Sequence, residues 1–320
     1  MKILFSTYPM AHQIPGGGEI QITYYKKYLE NIGYKIKLFN NWEDNVKNFD
    51  IVHFFSCVGG SQHFCNYVKS QKIPLVISPN LWITNKNKNQ YNLNEIYNIL
   101  SLADKIVCNS KIEIKQLKDA FNLSKNKFEF VYNGVDSSFF KKVSPNIFKK
   151  KYNIKYDFIL NVANIEKRKN QLSLLKACIN LNQKLIIIGK IRDKDYYNDL
   201  VAIDKKKILR VITDISHSSK VLKSAYAACS HFVLPSILET PGLSSIEAAA
   251  NGKNILITSE GSTREYYLDI VNYCAFDLEK SLSEILKLPK YSPKIRNLVK
   301  KYLWQRCIVR LDNVYKKLKI

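Results

Sequence analysis

Glu239 and Glu247 stand on either side of Gly242 in the segment Leu234-Pro235-Ser236-Ile237-Leu238-Glu239-Thr240-Pro241-Gly242-Leu243-Ser244-Ser245-Ile246-Glu247-Ala248-Ala249-Ala250. An apolar run ends at Pro235-Ser236, a loop carries Glu239 and Gly242, and a helix of small residues then opens and carries Glu247. This order sets one carboxylate at the mouth of a cleft and the other about one helical turn further in, with the first helical amides, near Leu243 and Ser244, between them. Carboxylates accept hydrogen bonds from sugar hydroxyls, and amides at a helix N-terminus receive phosphate oxygens. The plainer reading of Glu247 is a solvated helix residue.

A second candidate anion site is Gly16-Gly17-Gly18, followed by Glu19. Glycine lets a backbone approach a ligand closely, and a following helix would aim its amides at a diphosphate. A tight turn in which Glu19 complements the helix dipole is the competing reading. The run is not G-x-G-x-x-G. Residues 35–39 lead into Asn40 and Asn41 rather than an acid, which disfavours a nicotinamide cofactor.

The elements that must hold these residues alternate. Apolar runs at 2–6, 35–39, 51–55, 74–78, 105–108 and 128–131 are short and rich in Ile, Val and Phe, as buried parallel strands are. Between them lie helical patterns at 19–32, 61–70, 93–102 and 110–120, the last with Ser110 and Glu113 placed as a capping box. The lysine-rich stretch from Phe140 to Tyr156 interrupts the pattern. Strands are expected again at 158–162, 184–188, 209–212, 232–234, 254–258 and 273–276, with helices at 171–180, 196–203, 219–229, 243–251 and 264–268. The fold class is therefore α/β, with two Rossmann-like doubly wound domains facing a central cleft. The expected division is an N-terminal domain over 1–140, a linker over 141–156, a second domain over 157–291 and a helical segment over 292–320. A length of 320 residues suits two domains.

Fifty Lys and Arg against 27 Asp and Glu leave a net charge of +23, which would suit nucleic acid, an anionic membrane or an acidic substrate. Arginine stands at only seven positions, beginning at Arg168. Readers of nucleic acid lean on arginine for bidentate base contacts, so nucleic acid is not an expected partner. Residues 290–319 hold ten Lys and Arg and one acid, Asp312, and could lie against a membrane. The seven cysteines form no CxxC pair, which argues against a disulfide framework or a zinc site. No apolar stretch is long enough to span a bilayer, and residues 1–9 hold too short an apolar run for a signal peptide, so a cytoplasmic location is expected.

The segment from Glu239 to Glu247 resembles the Glu-x7-Glu signature of retaining GT-B glycosyltransferases, in particular glycosyltransferase family 4 (glycosyl transferases group 1). Four more segments resemble that family in the right order. They are Pro15-Gly16-Gly17-Gly18-Glu19, Ala103-Asp104-Lys105-Ile106-Val107-Cys108-Asn109-Ser110, Asn133-Gly134-Val135-Asp136 and Gly261-Ser262-Thr263-Arg264-Glu265-Tyr266. The resemblance implies that Glu239 holds hydroxyls of the donor sugar and Glu247 the ribose. Amides around Gly242, Leu243 and Ser244, and those of Gly17 and Gly18, would receive the diphosphate, which Lys169 would clamp. The family's Arg is replaced by Asn164, and Arg168 either supplies the missing guanidinium or is an ordinary exposed base. Where the family commonly has a histidine touching the donor sugar, this chain has Ser78-Pro79-Asn80. Asn80 could offer a hydrogen bond in its place or simply form a Pro-Asn turn. His12 could meet the acceptor, and His53 reads as a core histidine.

The function implied is transfer of a sugar from a UDP- or GDP-sugar to a glycan or lipid-linked acceptor, with retention and without a metal or other cofactor. The setting implied is bacterial surface polysaccharide (lipopolysaccharide O-antigen or capsule) synthesis, with peripheral attachment to the inner face of the cytoplasmic membrane. Such chains usually end in a helix that crosses back onto the N-terminal domain. That packing would bury Tyr302, Leu303, Trp304, Ile308 and Val309, which could otherwise meet lipid. The rival readings are a non-catalytic basic module for nucleic acid or anionic lipid, and an inverting GT-B transferase or nucleotide-sugar epimerase.

Overall fold

Leu185-Ile186-Ile187-Ile188 is buried along its whole length, and the other central strands are similarly apolar on both faces, as strands covered by helices on each side must be. The computed structural model describes residues 1–13, 15–84 and 87–318. It divides into one unit of Met1–Asn133 joined by the residues from Trp304 onward, and a second unit of Gly134–Leu303.

In the first unit the chain runs β1 (Lys2–Thr7), α1 (Gly17–Glu30), β2 (Lys35–Leu38), β3 (Ile51–Phe55), α2 (Gln62–Ser70), β4 (Leu75–Ser78), α3 (Leu93–Leu102), β5 (Lys105–Cys108), α4 (Lys111–Phe121) and β6 (Phe128–Phe130). Among the described residues, six parallel strands pair in the order β2-β1-β3-β4-β5-β6. The order reverses between β1 and β3. Ligands of such sheets bind beyond the carboxyl ends of the strands at this switch point, and the Gly16–Gly18 run follows β1 there. Helix α1 starts at Gly17, earlier than the apolar periodicity from residue 19 suggests. Glu19 Oε2 accepts the Gly16 N–H at 2.6 Å, closing the first turn.

The second unit continues with α5 (Asn146–Lys151), β7 (Ile159–Val162), α6 (Gln171–Asn180), β8 (Leu185–Ile188), α7 (Lys194–Ile203), β9 (Leu209–Ile212), α8 (Lys220–Ala228), β10 (His231–Leu234), α9 (Leu243–Ala250), β11 (Ile255–Ile257), α10 (Thr263–Tyr267), β12 (Asn272–Tyr273), α11 (Leu278–Leu286) and α12 (Pro293–Val299). Its strands are again parallel, in the order β12-β11-β10-β7-β8-β9. The switch point lies between β7 and β10. The loop after β7 carries Asn164, Arg168 and Lys169, and the loop after β10 carries Glu239 and Gly242.

The chain then ends in α13 (Trp304–Lys317), whose Trp304, Cys307, Ile308, Leu311, Val314 and Tyr315 are buried within the first unit. Trp304 stacks on Tyr24 and meets Tyr25 edge-on, at ring separations of 5.4 and 5.7 Å. These residues of the amphipathic helix are therefore not available to lipid, although Val309 is exposed.

The units depart from the expected boundaries. The first division falls at Asn133, not 140, because the Val135 N–H donates to Tyr302 O at 2.8 Å and draws the segment after Asn133 into the second unit. Residues 141–156 do not form a linker. Phe148 of α5 is fully buried, and its amide donates to Ser224 Oγ on α8 at 2.9 Å. The expected terminal segment 292–320 is shared, with α12 in the second unit and α13 in the first. The strand expected over 273–276 shortens to Asn272–Tyr273, and Phe276 is exposed. Helix α11 was not among the expected elements. It forms with Asp277 as its cap and Leu282 and Ile285 buried on one face. Six of the seven cysteines are buried and all are free thiols.

Candidate functional site

Leu234, the last residue of β10, delivers the chain to a loop whose turns bring Glu239 back over the strand end. Lys169 Nζ lies 2.6 Å from Glu239 Oε1, and Ser236 Oγ donates to the same oxygen at 2.6 Å. Both charges are largely out of water, with side-chain exposures of 13% for Lys169 and 6% for Glu239. Burial by itself would raise the Glu239 pKa. The charges of Lys169 and Arg168, with the hydrogen bonds from Lys169 and Ser236, outweigh that and hold it below the usual carboxylate value. The other oxygen, Oε2, faces Gly242, where an added Cβ would sit 3.1 Å from it and 2.8 Å from Leu234 Cδ2. Gly242 also has φ +80°, a conformation that side-chain-bearing residues rarely adopt. It caps α9, so the amides of Leu243 and Ser244 open the helix without intrahelical partners. Ser245 Oγ, in contact with Gly242 O at 2.7 Å and Tyr267 OH at 2.6 Å, fixes this turn from below.

Glu247 lies within α9 and is buried. The solvated reading is thus excluded. One oxygen is 2.5 Å from His217 Nε2, and the other accepts from Tyr226 OH at 2.7 Å. Neither partner was among the residues singled out in the sequence. His217 is 30 positions from Glu247 and sits in a loop of serines, so no spacing connects the two.

Arg168 is more exposed than Lys169. It pairs with Glu166 at 3.0 Å and donates to Leu238 O at 3.1 Å, while the Ile237 N–H donates to Arg168 O at 2.9 Å. It therefore ties the β7 loop to the β10 loop. Asn164 is occupied with backbone, its Oδ1 accepting the Lys190 N–H at 3.3 Å and its carbonyl accepting from Gln171 Nε2 at 2.9 Å.

In the first unit, Asn80 follows β4 with φ +48°, and its Nδ2 would lie 3.7 Å from a Cβ placed on Gly18. Asn109 Nδ2 donates to Asn80 Oδ1 at 2.8 Å, and Gln21 Nε2 donates to Asn109 Oδ1 at 2.7 Å. Gly17, Gly18 and Asn80 thus belong to one neighbourhood at the end of the sheet. His12 is exposed beyond β1. His53 is fully buried between Tyr315 OH at 2.6 Å and Ser78 Oγ at 2.9 Å, and burial depresses its pKa to about 3. It is a core residue.

Residues 7–139 match Glycosyltransferase Family 4, and residues 144–300 match Glycosyl transferases group 1. A curated relative from Campylobacter jejuni, N-acetylgalactosamine-N,N'-diacetylbacillosaminyl-diphospho-undecaprenol 4-alpha-N-acetylgalactosaminyltransferase, is 28% identical over 212 residues, or 62% of this chain and 54% of that protein. The chain spans between 54% and 60% of the length of the curated relatives it matches. Among solved structures, sucrose-phosphate synthase from Thermosynechococcus elongatus superposes with TM-score 0.83 at 14% identity, over 99% of each chain. Anabaena HepE in complex with UDP and glucose does so with TM-score 0.81 at 16% identity, over 99% of this chain and 100% of that one. These two likenesses are of fold. With two doubly wound parallel-sheet units and family matches that together run from residue 7 to residue 300, the chain belongs to the family 4, group 1 glycosyltransferases of GT-B fold.

Proposed function

We propose that the protein transfers a sugar from a UDP- or GDP-sugar to a glycan acceptor carried on a lipid, with retention of anomeric configuration and without a metal ion. The observation that carries this reading is the Lys169–Glu239 pair at 2.6 Å beside Gly242 and the opening amides of α9. Oε2 of Glu239 is the acceptor for hydroxyls of the donor sugar. Lys169 and the amides of Leu243 and Ser244 stabilise the diphosphate as it departs, the main electrostatic demand of the reaction. Glu247 accepts from the ribose. The acceptor hydroxyl attacks the anomeric carbon on the face from which the diphosphate leaves. Its proton passes to the departing phosphate oxygen, so no protein carboxylate acts as base. A lipid-linked acceptor, in surface-polysaccharide assembly at the inner face of the cytoplasmic membrane, draws support from the name of the Campylobacter jejuni relative, which specifies a diphospho-undecaprenol substrate.

The test is a panel of nucleotide sugars assayed for slow hydrolysis and for transfer to lipid-linked acceptors, with the product anomer read by NMR and the assay repeated in EDTA. One nucleotide sugar should be turned over with retention, and activity should survive EDTA. Glu239→Gln and Glu247→Gln should each lose about 10-fold or more, as expected for one charged hydrogen bond. An inverted product, a strict need for added Mg²⁺ or Mn²⁺, or full activity in both folded variants would overturn the reading.

A further inference from the structure

His217 lies between β9 and α8 and reaches one carboxylate oxygen of Glu247 of α9 at 2.5 Å, while Tyr226 reaches the other from α8 at 2.7 Å. A carboxylate has about four acceptor positions, two on each oxygen. One donor on each oxygen leaves one position on each, which is the pattern that the two neighbouring hydroxyls of a ribose require. The same two donors prevent the carboxylate from rotating.

We propose that His217 is a positioning residue for the nucleotide: as an imidazolium it holds Oε1 of Glu247 so that the carboxylate presents both remaining acceptor positions to a ribose diol, and nucleotide affinity falls when that imidazolium loses its proton. This rests on the reading that Glu247 takes the ribose. The groups facing His217 come from three other elements. Glu247 is on α9, Tyr226 and Lys223 are on α8, and Asp136 and Phe139 are at the turn Ser137–Phe140, with the Phe139 ring 5.9 Å from the imidazole. Burial disfavours the charged ring, and Lys223 opposes it too. Glu247 and Asp136 favour it, and the balance leaves the His217 pKa above its ordinary value. The imidazolium therefore persists to a higher pH than a free histidine would allow.

The experiment measures binding of UDP and GDP by calorimetry between pH 6 and 9, beside the donor KM and kcat. The proteins compared are wild type, His217→Ala, His217→Gln, Tyr226→Phe and Glu247→Gln. For His217→Ala, Kd and donor KM should rise about 10-fold while kcat stays within about threefold. His217→Gln keeps an N–H donor near the same place, so it should recover most of the affinity and lose the pH dependence. Wild-type affinity should fall as pH rises through the titration of His217, followed directly by the imidazole proton resonances. In Glu247→Gln that titration should move to lower pH. Should His217→Ala fail to fold, the glutamine variant and the imidazole titration decide the matter without it. If His217→Ala binds nucleotide as wild type does while Glu247→Gln binds weakly, the role of His217 is wrong and the donor site stands. Wild type that binds no nucleotide, or Glu247→Gln that binds it normally, would overturn both.

Discussion

A Cβ added to Gly261 would lie 2.1 Å from the carbonyl oxygen of Glu239. The two residues pair as parallel backbone, with the Glu239 N–H donating to Glu260 O at 3.2 Å and the Ser262 N–H donating to Glu239 O at 3.0 Å. The turn after β11 thereby holds the backbone from which the Glu239 carboxylate projects. Gly261 also has φ +96°. Gly261→Ala should cost about 1–2 kcal/mol in backbone strain alone, with the displaced carbonyl adding to it. Calorimetry should show the melting temperature of the second unit lowered by about 4 °C or more, together with reduced turnover. An unchanged melting temperature would show that the turn yields freely.

Lys169→Met leaves Glu239 buried without its cation. Breaking a buried pair by removing one member typically costs about 3–5 kcal/mol, and the midpoint of urea unfolding should fall accordingly. The double variant Lys169→Met/Glu239→Gln carries no buried charge at this place and should be more stable than the single one. A single variant as stable as wild type would mean that the pair does not contribute to the fold.

His53 should make the first unit acid-sensitive. Its native pKa of about 3 lies below the unfolded value of about 6.5. Between those values the unfolded chain binds a proton that the native state refuses. This contribution to stability is therefore complete above about pH 6.5 and lost progressively toward about pH 3, by up to about 1.4 kcal/mol per pH unit. Comparing urea unfolding of wild type and His53→Gln at pH 7, 6 and 5 isolates it. The variant should be less stable at pH 7, and the gap should narrow on acidification; a constant gap would contradict the assignment.

Membrane contact, if made through α13, must be electrostatic, since Trp304 and Ile308 are buried in the first unit while Arg306, Arg310, Lys316 and Lys317 are exposed. Lys319 lies outside the described residues. Co-sedimentation with anionic vesicles should be strong at low salt and largely lost at about 0.5 M, where screening acts over a few ångströms. Equal, negligible binding to anionic and neutral vesicles would assign the basic composition no role at lipid.

Much of the scaffold can be read without coordinates. The strands β3, β5 and β9 and the helices α3 and α6 lie where apolar runs and periodicity place them. Their cores are local patterns of Ile, Leu and Val that only a double-sided sheet can bury. That Glu239 and Lys169 stand in loops after strands is legible in the same alternation, whereas the strand order that makes those two loops neighbours is not. Elements whose burial rests on few residues were less legible. Helix α5 is held by Phe148 within a run of lysines, and α11 shows its apolar face only once Asp277 is seen to cap it. Least legible were the partners of Glu247. His217, in the loop before α8, and Tyr226, on α8, reach it from separate positions of the chain, and only the folded second unit brings them to its two oxygens.

The return of α13 to the unit where the chain began has a consequence for synthesis on the ribosome. The second unit is continuous from Gly134 to Leu303, whereas the first awaits residues made after the second is complete. Until Tyr315 emerges, His53 lacks the hydroxyl that meets its Nδ1, and Tyr24 and Tyr25 lack the indole of Trp304. A nascent chain stalled between the two events would expose an apolar groove along α1. That groove is the surface a holding chaperone would find, and a message truncated before codon 304 would leave it open for good.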